Sequence, residues 1–285
     1  MRLLLCLAAA LIAAPASAHL LARGIPLSEL AAASPVAVIG RVESAARESG
    51  SVELAVEESV IGNVPSGALH FALEGHHAPD YRVGSRVLVF MKTTAAPWVS
   101  RQTELDLVEI PARAAARSAL VDAVRAYAGL RNVPDRGERI AQLKTLAIGN
   151  LASASDRVRH EALLDLLAIA PAQPFRADDV ARITAVARAP DATETLAPGL
   201  VVLLAAVRTP EAGSALADVL RGAASPHARA AAARVIGKRG DAHAVPILRE
   251  ALRDSALAVR LTAQRALDEI EARKPERIGL NVRTR

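Results

Sequence analysis

Ser225-Pro-His-Ala-Arg-Ala-Ala-Ala-Ala-Arg-Val-Ile236 and Ser255-Ala-Leu-Ala-Val-Arg-Leu-Thr-Ala-Gln-Arg-Ala-Leu267 are two copies of one pattern. Arg229, Ala232, Arg234 and Ile236 fall 31 positions before Arg260, Ala263, Arg265 and Leu267. Between the copies lies a second run with helical spacing, Asp241 to Arg253. A lone helix pair of this length cannot bury its apolar face, whereas stacked pairs can, so the period predicts an α-solenoid.

The pattern can be followed towards the N-terminus. In Asp156-Arg-Val-Arg-His-Glu-Ala-Leu-Leu-Asp-Leu-Leu167, residues Val158, Arg159, Ala162 and Leu166 align one for one with Val259, Arg260, Ala263 and Leu267, while Asp179 to Ala189 and Glu194 to Val207 share the period but have drifted. Apolar periodicity predicts nine helices: 114–128, 138–148, 156–169, 179–189, 194–207, 211–220, 227–237, 242–253 and 256–272. The punctuation fits helix ends. Ser225 precedes Pro226 as an N-cap, Asp135 and Asp191 each have a glutamate three residues on, and Gly129, Gly149, Gly222 and Gly240 stand where left-handed caps are expected. The scattered carboxylates read as caps and solvated helix faces.

Here the residues carry a resemblance. Asp156-x-Val-Arg-x-x-Ala-x-x-x-Leu, and Ala-Arg-Val-Ile-Gly-Lys-Arg-Gly-Asp241 followed by an apolar helix ending Leu-Arg-Asp254, resemble HEAT repeats of the type also found in phycobilisome lyases. The resemblance implies a scaffold that presents a curved surface to another protein. It carries over no lyase activity, because the chain has no bilin context and reads as exported.

Ahead of the solenoid the texture changes. A short helix, Leu27 to Ala33, ends at Ser34-Pro35, since the residue before proline is pushed out of the helical region. Six strands are then predicted: 36–42, 51–57, 68–73, 86–91, 98–101 and 105–110, separated by turn residues. So many short strands in some 80 residues predict a small closed or half-open β-barrel. Phe71, Tyr81, Phe90 and Trp98, four of the six aromatics in the chain, lie in this segment and read as its filling. The Val36–Val42 strand, the Val-Glu-x-x-Val-x-Gly-x-Val stretch at 56–64 and Val-Gly-x-Arg-Val-Leu-Val-Phe at 83–90 are similar to netrin-like and metalloproteinase-inhibitor domains of the OB type. Those domains are disulfide-bonded, and the sequence here has a single cysteine, Cys6.

Arg2, the apolar run Leu3 to Ala14 and the small-x-small site Ala16-Ser17-Ala18 read as a cleavable secretory signal over residues 1–18. The expected order is therefore signal, small β-barrel (19–112), HEAT-type solenoid (113–272) and basic tail (273–285), an α+β two-domain chain. The expected compartment is the periplasm or the exterior, with no membrane span left after cleavage. Charge is split: residues 19–112 carry 7 basic and 11 acidic residues, net −4, and residues 113–285 carry 27 and 19, net +8. The tail reads as a solvated terminus. No basic stripe is interleaved with aromatics, so nucleic acid is not an expected partner.

The sequence contains no Gly-x-Ser-x-Gly, phosphate loop, His-Glu-x-x-His or nucleophilic cysteine of the mature chain. The reading is a non-enzymatic protein without a cofactor that binds a protein partner. One site-like combination is made of histidines. Cleavage after Ala18 would leave His19 as the N-terminus, whose amine and imidazole can chelate a metal, with His76 and His77 on a loop as further ligands. Metal binding, or metalloprotease inhibition through the free His19 terminus, is the alternative function; the plainer reading makes these three ordinary exposed residues, and no metal is assigned. Arg159, Arg229 and Arg260 recur at one point of the repeat and read as stacking contacts between units, the alternative being a ladder along a ligand groove. Mass spectrometry of the exported protein should find His19 at the N-terminus; an intact residue 1–18 segment would remove the export reading.

Overall fold

A computed structural model describes residues 24–46, 50–73, 79–103, 105–207, 209–240 and 244–273. By the distribution of internal contacts the chain divides into two units, 1–112 with Tyr127–Arg131, and 113–126 with 132–285. Residues 1–18, which were read as a signal, His19, His76, His77 and the residues beyond Arg273 lie outside the described residues, as does Cys6.

The first unit opens with helix α1 (Leu27–Ala33), which ends at Ser34 in extended conformation, as the following proline requires. Six strands follow: β1 (Val36–Ala46), β2 (Ser51–Ile61), β3 (Gly67–Ala72), β4 (Arg86–Met91), β5 (Trp98–Val99) and β6 (Val108–Glu109). They form one sheet in the order β5-β3-β2-β1-β4-β6, antiparallel except for the β3–β5 pair. Of the closed or half-open barrel that was expected, the closed form is not observed: the ladder of strands is open, with β5 and β6 at its ends. An isolated bridge, Met91 to Ser100, and backbone bonds from Lys92 N to Val99 O and Arg101 N to Phe90 O tie β5 and the chain just after it to β4.

The β1–β2 hairpin changes register three times. Each irregularity adds an unpaired residue, which bends a hairpin and increases its twist. Gly40 lies at one of them, and a Cβ there would stand 2.5 Å from the Ala55 carbonyl oxygen, so the bend requires glycine. Val36, Val38, Val52, Leu54, Phe71, Val87 and Val89 fill one face of the sheet. Ala37, Ile39, Leu88 and Phe90, the alternate residues of β1 and β4, are buried too, so those strands are covered on both faces. Phe71 and Tyr81 pack edge to face, ring centroids 5.6 Å apart. Phe71 and Tyr81 thus belong to the filling and half-buried Trp98 packs against it, while Phe90 is buried on the opposite face of β4.

The second unit is helical: α2 (Ala114–Gly129), α3 (Arg136–Asn150), α4 (Asp156–Ile169), α5 (Ala177–Arg188), α6 (Leu196–Ala206), α7 (Pro210–Gly222), α8 (Pro226–Arg239), α9 (Val245–Ala251) and α10 (Leu257–Ala272). The last turn of α2 groups with the first unit, where the neighbouring Arg131 donates from Nη2 to the Ala31 carbonyl. From α3 onward, successive odd-numbered helices pack on one another, as do successive even-numbered ones, making two layers. Each pair also packs across the layers, α3 on α4, α5 on α6, α7 on α8 and α9 on α10. This is the stack that the 31-residue repeat requires, with one continuous core running from Ala147 to Ile270.

Alanine and glycine set how closely the even-numbered helices approach. Ala228, Ala231, Ala232 and Ala233 of α8 and Ala263 and Ala266 of α10 are buried. A Cβ on Gly237 would lie 2.5 Å from the Ala266 Cβ and 2.7 Å from its Cα, and one on Gly199 of α6 would lie 2.4 Å from Leu163 of α4.

The caps are partly as expected. Ser225 accepts from Ala228 N, Asp135 accepts from Glu138 N, and Gly240 closes α8 with φ of 70°. Asp191 does not cap: α6 starts at Leu196, whose N–H is taken by Thr193 Oγ1. Gly129, Gly149 and Gly222 lie inside their helices at negative φ. Beside Gly222 lies the guanidinium of Arg188, whose Nη2 would stand 2.6 Å from an added Cβ and would have to shift for it. Replacing Gly237 by valine should destabilise the second unit by about 1–3 kcal/mol, since the α10 backbone must move. Urea unfolding followed by circular dichroism measures it, and an unchanged midpoint would contradict the close approach.

Candidate functional site

Arginine is the residue that joins one unit of the stack to the next. Arg229 on α8 donates from Nε and Nη2 to the two carboxylate oxygens of Asp254, both at 2.8 Å, and from Nη1 to the carbonyls of Ala223 and Ala224. The planar fork of guanidinium matches a carboxylate in this two-bond arrangement. The hydrogen bonds from Arg229 hold the Asp254 carboxyl below the usual aspartate range, against the opposing push of burial, with help from the Ala256 N–H. Arg260 on α10 repeats the carbonyl half of the contact, donating from Nη1 to Asp254 O and Ser255 O.

Arg159 on α4 makes a looser version. Its Nη1 reaches the Asp191 carbonyl at 3.2 Å and the exposed Asp191 carboxylate at 3.3 Å, while its buried Nε has no hydrogen bond. Asp191 is therefore the arginine's acceptor in the next unit. The three arginines contact loops of their own and neighbouring repeats.

A second set of ties was not read from the sequence. Arg239 at the end of α8 donates to the carbonyls of Leu204 and Ala205 in the last turn of α6, and Arg273 after α10 donates to those of Gly237 and Lys238 in the last turn of α8. Each cation sits at the negative end of the preceding even-numbered helix and binds carbonyls of its last turn. Their spacing of 34, against 31 for the other set, hides them from a fixed-period alignment.

With those arginines engaged, other cations face open space. A groove of about 570 Å³ runs over the even-numbered layer, bordered by Glu194, Thr195 and Pro198 at the start of α6, His227, Ala230, Ala231, Arg234 and Lys238 on α8, and Thr262, Arg265, Ala266 and Glu269 on α10. Arg234, Lys238 and Arg265 are exposed, and their side chains have no ion pair or hydrogen bond among the described residues. Of the two acids, Glu269 is paired with Arg273 at 3.6 Å. Arg234 and Arg265 are repeat equivalents, 31 residues apart, and that correspondence was the signal for them.

The first unit holds a different polar arrangement, and it is a structural knot. Gln102, buried, accepts from Phe90 N and Tyr81 Oη at its Oε1 and donates from Nε2 to Leu88 O and Asp106 O. Asp106, fully buried, accepts from Ile25 N, Thr103 N and Thr103 Oγ1. Burial pushes the Tyr81 phenol well above its ordinary value, more than hydrogen bonding with Ser100 lowers it. Asp106, with Glu161 and Asp165 on α4, corrects the expectation that carboxylates are confined to caps and exposed faces. The donors of the knot are matched by protein acceptors, which makes it a joint of the fold.

His160 and His227 are exposed, and no group of three metal-ligating side chains occurs among the described residues. His19, His76 and His77 lie outside those residues. No helix among the described residues is long and apolar enough to cross a membrane.

A family model described as HEAT repeats matches residues 213–278, which takes in α8 to α10, most of α7 and the groove walls on α8 and α10. The match covers less than a quarter of the chain. No curated protein matches. Residues 213–278 are therefore similar to HEAT repeats, units that typically serve as non-enzymatic scaffold elements and often mediate protein interactions.

The Arg229–Asp254 pair sets a pH dependence. Asp254 titrates near about 3.9 in an unfolded chain and lower in the fold, so the unfolded state binds the extra proton as the medium becomes acid. Its stabilisation is complete above about pH 5 and is lost as the pH falls through the folded-state value. Asp254→Asn should cost about 1–3 kcal/mol at neutral pH. Urea unfolding at pH 7 and near pH 3 should show the gap to the parent protein narrowing in acid; a constant gap would mean the carboxylate is not the group concerned.

Proposed function

We propose that the protein is an exported, non-enzymatic scaffold whose HEAT-repeat stack holds a protein partner. The observation that carries this reading is the groove over α6, α8 and α10: its walls come from three successive units, and its cations have no internal acceptor among the described residues. The stack is tied by other arginines, so Arg234, Lys238 and Arg265 are surplus to stability. Polar walls and an alanine floor offer contact area without any arrangement of nucleophile, base and oxyanion donors.

The first unit is read as a small barrel-like module of the OB or netrin-like kind. Its parallel β3–β5 pair and the bridge from Ser100 to Met91 support that reading, since they draw the two sides of the bent sheet together around the filling of Leu54, Phe71 and Tyr81. The export proposal rests on the N-terminal sequence alone.

Cross-linking in the native cell envelope, followed by mass spectrometry, tests the scaffold. The expected result is one protein partner recovered in stoichiometric amount, with cross-links falling on α8 and α10. Recovery of the protein alone, or turnover of a small substrate by the purified chain, would end this reading.

A further inference from the structure

We propose that the groove over α6, α8 and α10 binds an acidic, carboxylate-rich peptide segment of the partner, with Arg234, Arg265 and Lys238 as the recognition residues. The inference rests on the scaffold reading and adds the chemistry of what is held. Three features carry it. First, the three side chains are the cations of one groove, and none has an internal acceptor among the described residues, whereas Arg229, Arg239, Arg260 and Arg273 all do. A guanidinium needs no partner at the surface, but two placed at equivalent points of adjacent helices repeat one charge along the groove axis. That is what a segment with repeated carboxylates would match.

Second, the local balance is positive. Arg234, Lys238 and Arg265 line the groove with Glu194 and Glu269, and Glu269 is paired with a further cation, Arg273, at 3.6 Å. Glu194 stands at the α6 end, away from the α8–α10 cations in sequence and element, which gives the groove one negative end and a positive remainder. An acidic segment is therefore favoured along α8 and α10 and disfavoured at the start of α6.

Third, the remaining lining selects the kind of anion. Ala230, Ala231 and Ala266 make a small-residue floor, and the hydroxyls of Thr195 and Thr262 can bond to a peptide backbone. Among the described residues no phenylalanine, tyrosine or tryptophan borders the groove, and the single imidazole of His227 is no run of rings on which successive nucleic-acid bases would stack. A membrane surface is also a poor fit, because these cations line a recess between helices and do not form a flat face.

The test uses the full chain and fluorescence anisotropy with two labelled dodecapeptides, one alternating glutamate with alanine and one alternating lysine with alanine. A labelled single-stranded oligothymidine is the third probe. The glutamate peptide should bind at least about tenfold more tightly than the lysine peptide at low salt, weakening as salt is raised. The double variant Arg234→Glu/Arg265→Glu should reduce that affinity by about thirtyfold or more, and Arg234→Gln/Arg265→Gln by less. Both substituted positions are exposed, and matching thermal unfolding of parent and variants confirms an intact stack. Equal binding of the two peptides, retained affinity in both double variants, or tighter binding of the oligonucleotide through the same residues would each overturn the proposal. A partner that co-purifies equally with parent and Arg234→Glu/Arg265→Glu protein would also overturn it while leaving the scaffold reading in place.

Discussion

The two-bond contact between Arg229 and Asp254 is the constraint on which the regular part of the stack depends. Helices with alanine faces can slide over one another with little change in buried area, so apolar burial alone leaves their register poorly defined. A guanidinium fork closed on a carboxylate, with Nη1 also bound to the carbonyls of Ala223 and Ala224, leaves one position. Both partners are largely buried, at 13% side-chain exposure each, so breaking the pair strands a charge away from water. The Arg239 and Arg273 ties act at the other end of the same helices, where they neutralise the terminal carbonyls. Between these anchors the close contact of Gly237 with Ala266 becomes possible.

The helical stack was legible because its cause is periodic. Nine segments with apolar spacing became helices α2 to α10, and the strongest copies, around Arg229 and Arg260, lie where the HEAT-repeat model matches. The period failed where units differ in length. Asp191 looked like a cap because a glutamate follows three residues on, but α6 begins later and the aspartate faces Arg159 instead. Gly222 looked like a left-handed helix stop, yet it stays within α7 at negative φ with the Arg188 guanidinium lying beside it. A sequence motif names a local possibility, and for Asp191 a contact from another helix decided it. For the groove, half the signal was visible: the equivalence of Arg234 and Arg265 is in the sequence, but whether those side chains are spent on packing depends on which face of α8 meets α10.

The sheet unit was legible as six strands and not as a closed form. Alternation in β2 and the apolar runs of β1 and β4 follow from one or both faces being covered. What joins its edges is a set of single bonds, such as Arg101 N to Phe90 O, which carry no sequence pattern. Gln102 and Asp106 were equally silent, since a buried amide and a buried carboxylate are recognised only by the backbone groups that surround them. Close together in the chain, they connect β4, the Ile25 segment and the loop ahead of β6 without a disulfide.

The Arg229 contact has an evolutionary reading. Residues 225–255 hold both the arginine and the aspartate it binds, so the block is chemically self-sufficient. A duplication of that block in tandem would bring its own fork and its own acceptor, and would leave the pairing on either side unchanged. Such a chain can change the length of its stack, and with it the number of cations along the groove, by copying one stretch of the gene without repairing the joints.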